Sequence, residues 1–117
     1  MKLNWIKCSS NQWCSLQDVN LRNWHVSGVY IIWHGGNPGR VVYVGESGDI
    51  ADRLGSHRST NQDVLQYAHW GLYVTWAEVA NYYDRLGLER YFADRYEPLV
   101  GVAYPDVVPI PANSPWD

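Results

Sequence analysis

The chain has little of what several classes of protein depend on. Its 117 residues include only two cysteines, Cys8 and Cys14, too few for a disulfide scaffold or a zinc site, and we expect two reduced, partly buried thiols. The N-terminus lacks the apolar core of a signal peptide, and no apolar run approaches the length of a transmembrane helix. We therefore expect a cytoplasmic protein that does not act on a membrane.

Charge is also scarce, and its balance is acidic. Charged residues make up 18% of the chain, and twelve acids against nine bases give a net charge of −3. That sign does not suit a protein that binds nucleic acid through broad contact with phosphates. Hydrophobic residues (46%), with seven tryptophans and nine tyrosines, indicate instead an ordinary folded domain. The length predicts one domain over residues 1–117.

The residue pattern predicts an α+β domain of three strands and three helices, in which the first two strands form an antiparallel hairpin. β-branched and aromatic runs favour strands over 27–33, 40–44 and 72–79. Helices are predicted over 50–58, beginning after a cap at Asp49, and over 61–70 and 81–97. Around this core of 27–101, residues 1–26 form an extension with a short strand at 3–7 or helical turns at 15–21. Residues 102–117 are a proline-rich extended tail.

Two tyrosines are expected to share one face of the first hairpin. If residues 34–39 form the loop, Trp33 faces Arg40 and Tyr30 lies directly opposite Tyr43. The other face is then apolar and suited to the core: Val29, Ile31, Trp33, Val42 and Val44. An opposed tyrosine pair is also a good packing unit, so the hairpin alone does not distinguish packing from chemistry.

The predicted helix over 50–58 carries an arginine and a histidine four residues apart. Arg53 and His57 are therefore neighbours on one helix face, while Ile50 and Leu54 form an adjacent apolar stripe that can dock on the sheet. This arrangement places Arg53 and His57 at the edge of the docked face. A solvated helix face is the structural alternative.

The last helix places a carboxylate among apolar side chains. At 3.6 residues per turn, Glu89 lies in the middle of a stripe that includes Leu86, Phe92 and Ala93. An unpaired carboxylate there is costly, so something must compensate its charge. The candidates are an intrahelical pair with Arg85 and a hard divalent cation, which prefers carboxylate oxygen.

Taken together, these residues resemble the GIY-YIG nuclease family over residues 27–101. The resemblance rests on Gly28-Val29-Tyr30, on Tyr43-Val44-Gly45, and on the single residues Arg53, His57 and Glu89. It implies a small three-stranded antiparallel sheet flanked by helices and a site where Tyr30, Tyr43, Arg53, His57 and Glu89 converge. One departure concerns an asparagine that often follows a proline after the last helix. Gly101 occupies that position, and Asn113 is the nearest replacement along the chain.

The resemblance implies a metal-dependent endonuclease that leaves 5′-phosphate and 3′-hydroxyl ends, with DNA preferred over RNA. Glu89 would hold one Mg²⁺ or Mn²⁺, and Arg53 would bind the scissile phosphate. Tyr30 or Tyr43 would be the base, with Tyr30 preferred. A positive charge on Arg53 or His57 would lower the pKa of that tyrosine, or His57 would relay the proton.

The acidic balance leaves three interpretations open. Between residues 40 and 58 there are three bases and three acids, so even the motif region has no basic excess. The domain would then work with a protein partner or as a homodimer that supplies substrate contacts, or it would recognise a local nucleic-acid shape through few phosphates. The third interpretation is a non-catalytic module of the same fold that binds a protein or nucleic acid in a larger complex.

Overall fold

The computed structural model describes residues 1–101 and 104–117, and residues 102 and 103, which open the predicted tail, lie outside the described residues. In the described part, the chain forms four strands, three α-helices and two short 3₁₀ turns. The strands are β1 (Cys14–Ser15), β2 (Gly28–His34), β3 (Arg40–Ser47) and β4 (Leu72–Glu78). The helices are α1 (Ile50–Ser59), α2 (Gln62–Leu65) and α3 (Tyr82–Tyr96), and the 3₁₀ turns are Ser9–Asn11 and Ala68–Trp70.

The strands form one antiparallel sheet in the order β1-β4-β2-β3. Residues 29–32 of β2 are completely buried, because this central strand is covered on both faces. The predicted α+β class and the three long strands are confirmed. The sheet nevertheless has four strands and not three, since the two-residue β1 pairs with the outer edge of β4.

A β-bulge sets the register of the β2–β3 hairpin. The pairs are His34–Arg40 and Trp33–Val41 near the turn, then Ile32–Tyr43, Ile31–Val44 and Tyr30–Gly45. Val42 is the extra residue, so Tyr30 lies opposite Gly45 and not, as predicted, opposite Tyr43. Tyr43 is two residues from Gly45 and therefore still shares the face of Tyr30, as a diagonal neighbour. The bulge also turns Val42 towards the Tyr30 side of the sheet, where it joins the core around Tyr30.

Each helix begins at a side-chain cap. The side chains of Asp49, Asn61 and Asn81 accept hydrogen bonds from backbone N–H groups in the first turns of α1, α2 and α3. Helices α1 and α3 match the predicted ranges closely. The predicted helix over 61–70 is instead the four-residue α2 followed by the 3₁₀ turn, which Gly71 ends at φ +79°.

Two apolar clusters lie on opposite faces of the sheet. On the Tyr30 face, Ile50, Leu54 and Val64 from α1 and α2 are fully buried. On the other face, Leu88 and Phe92 of α3 pack against the sheet. The fold is therefore three layers, with the sheet between α1–α2 and α3.

Both ends of the chain pack onto this core. The backbone N–H of Leu3 donates to Oδ1 of Asn113 (2.6 Å), and Nδ2 of Asn113 donates to the Leu3 carbonyl (3.0 Å). Residues 3–7 are not a strand, although the Ile6 N–H donates to the Trp76 carbonyl (3.0 Å). After β1, residues 16–18 form a turn and not a helix. The N-terminal extension thus contributes to the core and does not merely flank it.

The two cysteines form a disulfide. Cys8 and Cys14 are joined with their Cα atoms 5.0 Å apart, so the expectation of reduced thiols is wrong. Their separation of six residues is short enough for the turn at Ser9–Asn11 to bring them together. Over the described ranges, none of the helices has the length and apolar character needed to cross a bilayer.

Candidate active site

Three aromatic rings of the predicted site are in direct contact. Oη of Tyr30 lies 2.8 Å from Nε2 of His57, and the His57 ring lies 4.4 Å from the Tyr43 ring, centroid to centroid. The rings of Tyr30 and Tyr43 are nearly parallel, with centroids 6.0 Å apart. Residues from β2, β3 and α1 thus meet at one place on the sheet face covered by α1.

The closing glycine of the second tripeptide is explained by the position of Tyr30. A Cβ placed on Gly45 would clash with the hydroxyl oxygen and with ring carbons of Tyr30. The bulge brings Gly45 opposite Tyr30, so the tyrosine ring extends across a position without a side chain. Glycine is needed at position 28 for a different reason, since a Cβ there would clash with the backbone carbonyl of Ala77 in β4. One glycine allows the sheet to pair, and the other makes room for the Tyr30 hydroxyl.

A chain of hydrogen bonds fixes the orientation and tautomer of His57. Oδ1 of Asn61 accepts the N-cap hydrogen bond from the Val64 N–H (3.3 Å), which leaves the Asn61 amide nitrogen to face Nδ1 of His57 at 2.9 Å. Nδ1 is therefore the acceptor, and in the neutral ring Nε2 carries the proton. His57 then donates this proton in a hydrogen bond to Oη of Tyr30. Burial, and secondly the Arg53 charge, lower the pKa of His57 to about 4, so the ring is neutral near pH 7.

Arg53 is the positive charge at this cluster. Arg53 lies one turn before His57 on α1, as the four-residue spacing predicts, and it is exposed. His57 is instead buried within the docked face and does not lie at its edge. Interaction with the Tyr30 hydroxyl, and to a smaller extent with that of Tyr43, raises the pKa of Arg53. The guanidinium therefore stays charged beside both phenols.

The two tyrosines differ in their access to water. Tyr30 has no exposed surface, and burial followed by the neighbouring Tyr43 raises its pKa, although Arg53 opposes the rise. The expectation of a lowered pKa at Tyr30 is therefore wrong, because burial outweighs the nearby cation. Tyr43 is only partly buried.

Glu89 lies on the buried side of α3 but not at its centre. The buried residues of α3 are Arg85, Gly87, Leu88, Phe92 and Ala93. Arg85 and Ala93 lie about one turn before and after Glu89, whereas Leu88 and Phe92, which pack on the sheet, centre the buried face to one side of it. The tail separately covers Gly87 on the far side of the helix, where the Ile110 N–H donates to the Gly87 carbonyl. Glu89 is still half-buried. Burial and the charge of Glu46 raise the pKa of its carboxyl to about 7.

The predicted alternative partner of Glu89 is engaged elsewhere. Nε of Arg85 lies 3.0 Å from Oε2 of Glu46, and the guanidinium also donates to the carbonyls of Val79 and Ala80. The Arg85–Glu89 pair is therefore wrong. The backbone N–H of Glu46 and the charge of Arg53 both favour the ionised carboxylate and partly oppose the rise in the pKa of Glu89. In the described residues, Glu89 has no ion-pair partner within 4 Å.

The carboxylate of Glu89 fits a magnesium site in which the protein supplies only one or two ligands. Magnesium is bound in proteins through one or two carboxylates, with water and substrate phosphate completing its shell. Glu46 and Glu89 lie close enough for one charge to raise the pKa of the other carboxyl, and a divalent cation would neutralise that excess. Within 1–101 and 104–117, no group of three or more His, Cys, Asp or Glu side chains is placed to hold a metal alone. The substrate phosphate would have to complete the site.

Sequence reasoning missed three residues around this cluster. Asn61 orients His57, Glu46 acts on Glu89, and Tyr104 lies beside Tyr43 and Glu89, whose charges add to burial in raising the pKa of its phenol to about 12. Of these three residues, only Asn61 could have been found from the sequence, because it begins a predicted helix four residues after His57. The side chain of Asn113 is hydrogen-bonded to the backbone of Leu3 and does not replace the family asparagine.

No protein-family model, curated protein or solved structure matches the chain. Its function is therefore inferred from the chemistry of these residues.

Proposed function

We propose that the protein is a metal-dependent endonuclease of the GIY-YIG type that hydrolyses phosphodiester bonds, in DNA rather than RNA. One observation carries the proposal. Tyr30, Tyr43 and His57, chosen by spacing across 28 residues of sequence, have their rings within 6.0 Å of each other. Arg53 interacts with both phenols, and Glu89 is close enough to respond to the Arg53 charge.

The proposed chemistry divides the work between a base and a phosphate ligand. Hydrolysis needs an aligned water, a base, and stabilisation of charge on the phosphate and the leaving oxygen. Tyr43 is the better base because its side chain is partly exposed to water, whereas Tyr30 is completely buried. Arg53, which interacts with the Tyr43 hydroxyl, can bind the scissile phosphate with its planar fork. Tyr30 and His57 hold Arg53 and Tyr43 in place.

The cation held by Glu89 would supply Lewis-acid stabilisation of the leaving oxygen. Glu89 itself provides the charged ligand, and the backbone N–H of Glu46 favours its ionised form. The products would carry a 5′-phosphate and a 3′-hydroxyl.

A non-catalytic binding module is the second candidate, and the net charge of −3 favours it. Such a module would bind a protein or a nucleic acid inside a complex and would not need Glu89 or Arg53. The two candidates therefore differ in what these residues do to cleavage.

A cleavage screen distinguishes the candidates. Supercoiled plasmid, single-stranded DNA, branched DNA and RNA would be incubated with the protein and Mg²⁺ or Mn²⁺ at low salt, with Arg53→Ala and Arg22→Ala in parallel. Both arginines are exposed, and the Arg22 side chain forms no hydrogen bond or ion pair with a site residue in the described part of the chain. We expect cleavage that Arg53→Ala abolishes and Arg22→Ala retains. Equal cleavage by both variants, or none by the wild type on any substrate, would contradict the nuclease.

The disulfide bears on where such an enzyme works. Cytosolic reductants keep most protein thiols reduced, so the Cys8–Cys14 pair favours an oxidising compartment over the cytoplasm expected from the sequence. Alkylation of the protein in intact cells, followed by mass analysis, gives the redox state of this pair. Two alkylated cysteines would support a cytoplasmic location, and none would support an oxidising one.

A further inference from the structure

A surface pocket lies on the same face of the sheet as the contacting rings of Tyr30, Tyr43 and His57. It has a volume of about 340 Å³ and is lined by His34, Gly36, Arg40, Tyr67, Trp70 and Leu99. We call it the Trp70 pocket. None of these residues takes part in the proposed chemistry.

The register relates the Trp70 pocket to the proposed catalytic residues. Tyr30 and His34 are four residues apart on β2 and point to the same face, and Arg40 lies opposite His34 on β3. At about 3.3 Å per residue, His34 is roughly 13 Å further along the strand than Tyr30. That distance corresponds to roughly four stacked nucleotides at 3.4 Å each.

Ring faces form the walls of the Trp70 pocket. The His34 ring lies 4.6 Å from the Trp70 ring and 5.7 Å from the Tyr67 ring, nearly parallel to the latter. Gly36 donates its N–H to Nδ1 of His34 (3.0 Å), and burial together with the charge of Arg40 lowers the pKa of His34, so this ring is neutral. Trp70 keeps 48% of its surface exposed, on a 3₁₀ turn held by the backbone. The His69 ring also lies 4.2 Å from the Trp70 ring, so an incoming base would stack on the exposed part of Trp70 beside the two histidines.

Arg40 supplies a charge without a fixed partner. Its side chain is exposed, and in the described part of the chain it forms no ion pair and no side-chain hydrogen bond. An exposed tryptophan next to an available guanidinium matches one nucleotide, with the base on the ring and the phosphate on the arginine.

We propose, on the basis of the proposed nuclease function, that the Trp70 pocket binds an unpaired nucleotide of the substrate strand. A base inside a duplex has both ring faces covered by its neighbours, whereas an unpaired base can place a face against Trp70. Stacking of this kind needs few phosphate contacts, which accounts for affinity in a chain of net charge −3. The enzyme would accordingly prefer substrates with a single-stranded segment beside the scissile bond.

Binding without cleavage tests the proposal. Fluorescence anisotropy of labelled 12-nucleotide single strands of DNA and RNA, and of the matching DNA duplex, would be measured without metal in the Glu89→Gln background. We expect single strands to bind better than the duplex, and Trp70→Ala to weaken single-strand binding about tenfold or more. Trp70→Phe should restore most of the affinity. The DNA and RNA arms show which single strand is preferred.

Tyr83→Ala is the control for loss of an exposed aromatic side chain, since Tyr83 is 77% exposed and does not line the Trp70 pocket. It should leave binding unchanged. Arg40→Ala provides a second test should Trp70→Ala alter the thermal melt, and it should weaken single-strand binding several-fold. Equal binding by wild type, Trp70→Ala and Arg40→Ala, or a preference for the duplex, would overturn the proposal.

The outcomes separate this pocket from the nuclease. Trp70-dependent binding by a wild-type protein that cleaves nothing would support the pocket and contradict the nuclease. Metal-dependent cleavage with binding that ignores Trp70 and Arg40 would do the reverse.

Discussion

Gly45 shows how one residue without a side chain determines the position of a functional group. The hydroxyl of Tyr30 occupies the space that a Cβ of Gly45 would need, and that hydroxyl is also 2.8 Å from His57. Any side chain at position 45 would therefore move the phenol. Because Tyr30 lies in the central strand, the displacement would also strain the core.

Gly45→Ala should therefore reduce both cleavage and stability. We expect overpacking to lower the free energy of unfolding by about 1–3 kcal/mol and displacement of Tyr30 to reduce cleavage about 100-fold. Denaturant unfolding and single-turnover cleavage measure the two effects. Gly55→Ala in α1 is the control, because a Cβ there meets only Leu21 at 3.9 Å; it should retain activity. Full activity in Gly45→Ala would contradict the role of this contact.

The raised pKa of Glu89 makes metal binding depend on pH. The carboxyl is largely protonated below about pH 7, so the proton competes with a cation for the same oxygens. At a fixed Mn²⁺ concentration, the metal-induced rise in melting temperature should grow from pH 5.5 to about 7 and then level off. Glu89→Gln should abolish the rise at every pH. A rise that is constant with pH, or that persists in Glu89→Gln, would place the metal elsewhere.

The same shift gives the metal-free protein a definite pH dependence. The folded-state pKa of Glu89 is above its ordinary value of 4.5, so the folded state binds more protons between about pH 4.5 and 7. The free energy of unfolding from Glu89 therefore falls as pH rises through this window. His57 acts in the opposite direction, since its folded-state pKa is about 4. The difference in the free energy of unfolding between wild type and Glu89→Gln, measured against pH, isolates the contribution of Glu89.

The helices of this fold place site residues through their first turns as well as their faces. The cap of α2, Asn61, accepts from the Val64 N–H with one atom and donates towards His57 with another. Asn81 caps α3 in the same way but lies outside the hydrogen bonds that orient His57. The same cap chemistry therefore begins both helices, and only the Asn61 cap is linked to His57.

Asn61→Ala and Asn81→Ala should consequently have similar costs in stability and different costs in activity. We expect each to lower the free energy of unfolding by about 1 kcal/mol through loss of the cap. Only Asn61→Ala should reduce cleavage, because His57 then loses the donor that fixes its tautomer. Asn61→Asp keeps the cap and should raise the pKa of His57 in an NMR titration. Equal cleavage by both alanine variants would remove Asn61 from the site.

Strands and helices were predictable from the sequence because their causes are local. The β-branched run of β2 and the caps Asp49 and Asn81 mark their elements directly. The bulge at Val42 was not predictable, since one extra residue leaves the apolar pattern of β3 almost unchanged. Glu89 was predicted at the centre of the buried face of α3, whereas that face centres on Leu88 and Phe92, because their contacts with the sheet are tertiary. The site residues were identified by resemblance, whereas their contacts depend on tertiary structure.

The whole molecule is acidic, which limits how it can hold a polyanion. Arg53 and Arg40 are the cations of the two proposed binding positions, and neither has an acidic ion-pair partner among the described residues. Affinity would then depend on few phosphates and on aromatic stacking. A protein that binds through a broad basic surface would lose affinity more steeply as the salt concentration rises.

The salt dependence of single-strand binding should therefore be shallow. Two phosphate contacts give a slope of log affinity against log salt of about −1.4, and Arg40→Ala should make the slope less negative by about 0.7. Anisotropy titrations between 50 and 300 mM salt, roughly the range over which counterion release is resolved, measure both values. A wild-type slope of about −5 or steeper would show broad phosphate contact instead.

The central claim is that Glu89 holds the cation for hydrolysis, and one comparison tests it most directly. Single-turnover cleavage of a partly single-stranded DNA would be measured in Mg²⁺ for the wild type, Glu89→Gln and Glu97→Gln. Glu97 is an exposed carboxylate at the end of the same helix, so its variant controls for loss of charge. We predict metal-dependent cleavage that Glu89→Gln abolishes and Glu97→Gln retains. Cleavage that survives in Glu89→Gln, or a wild type inactive with every cation, would contradict the claim.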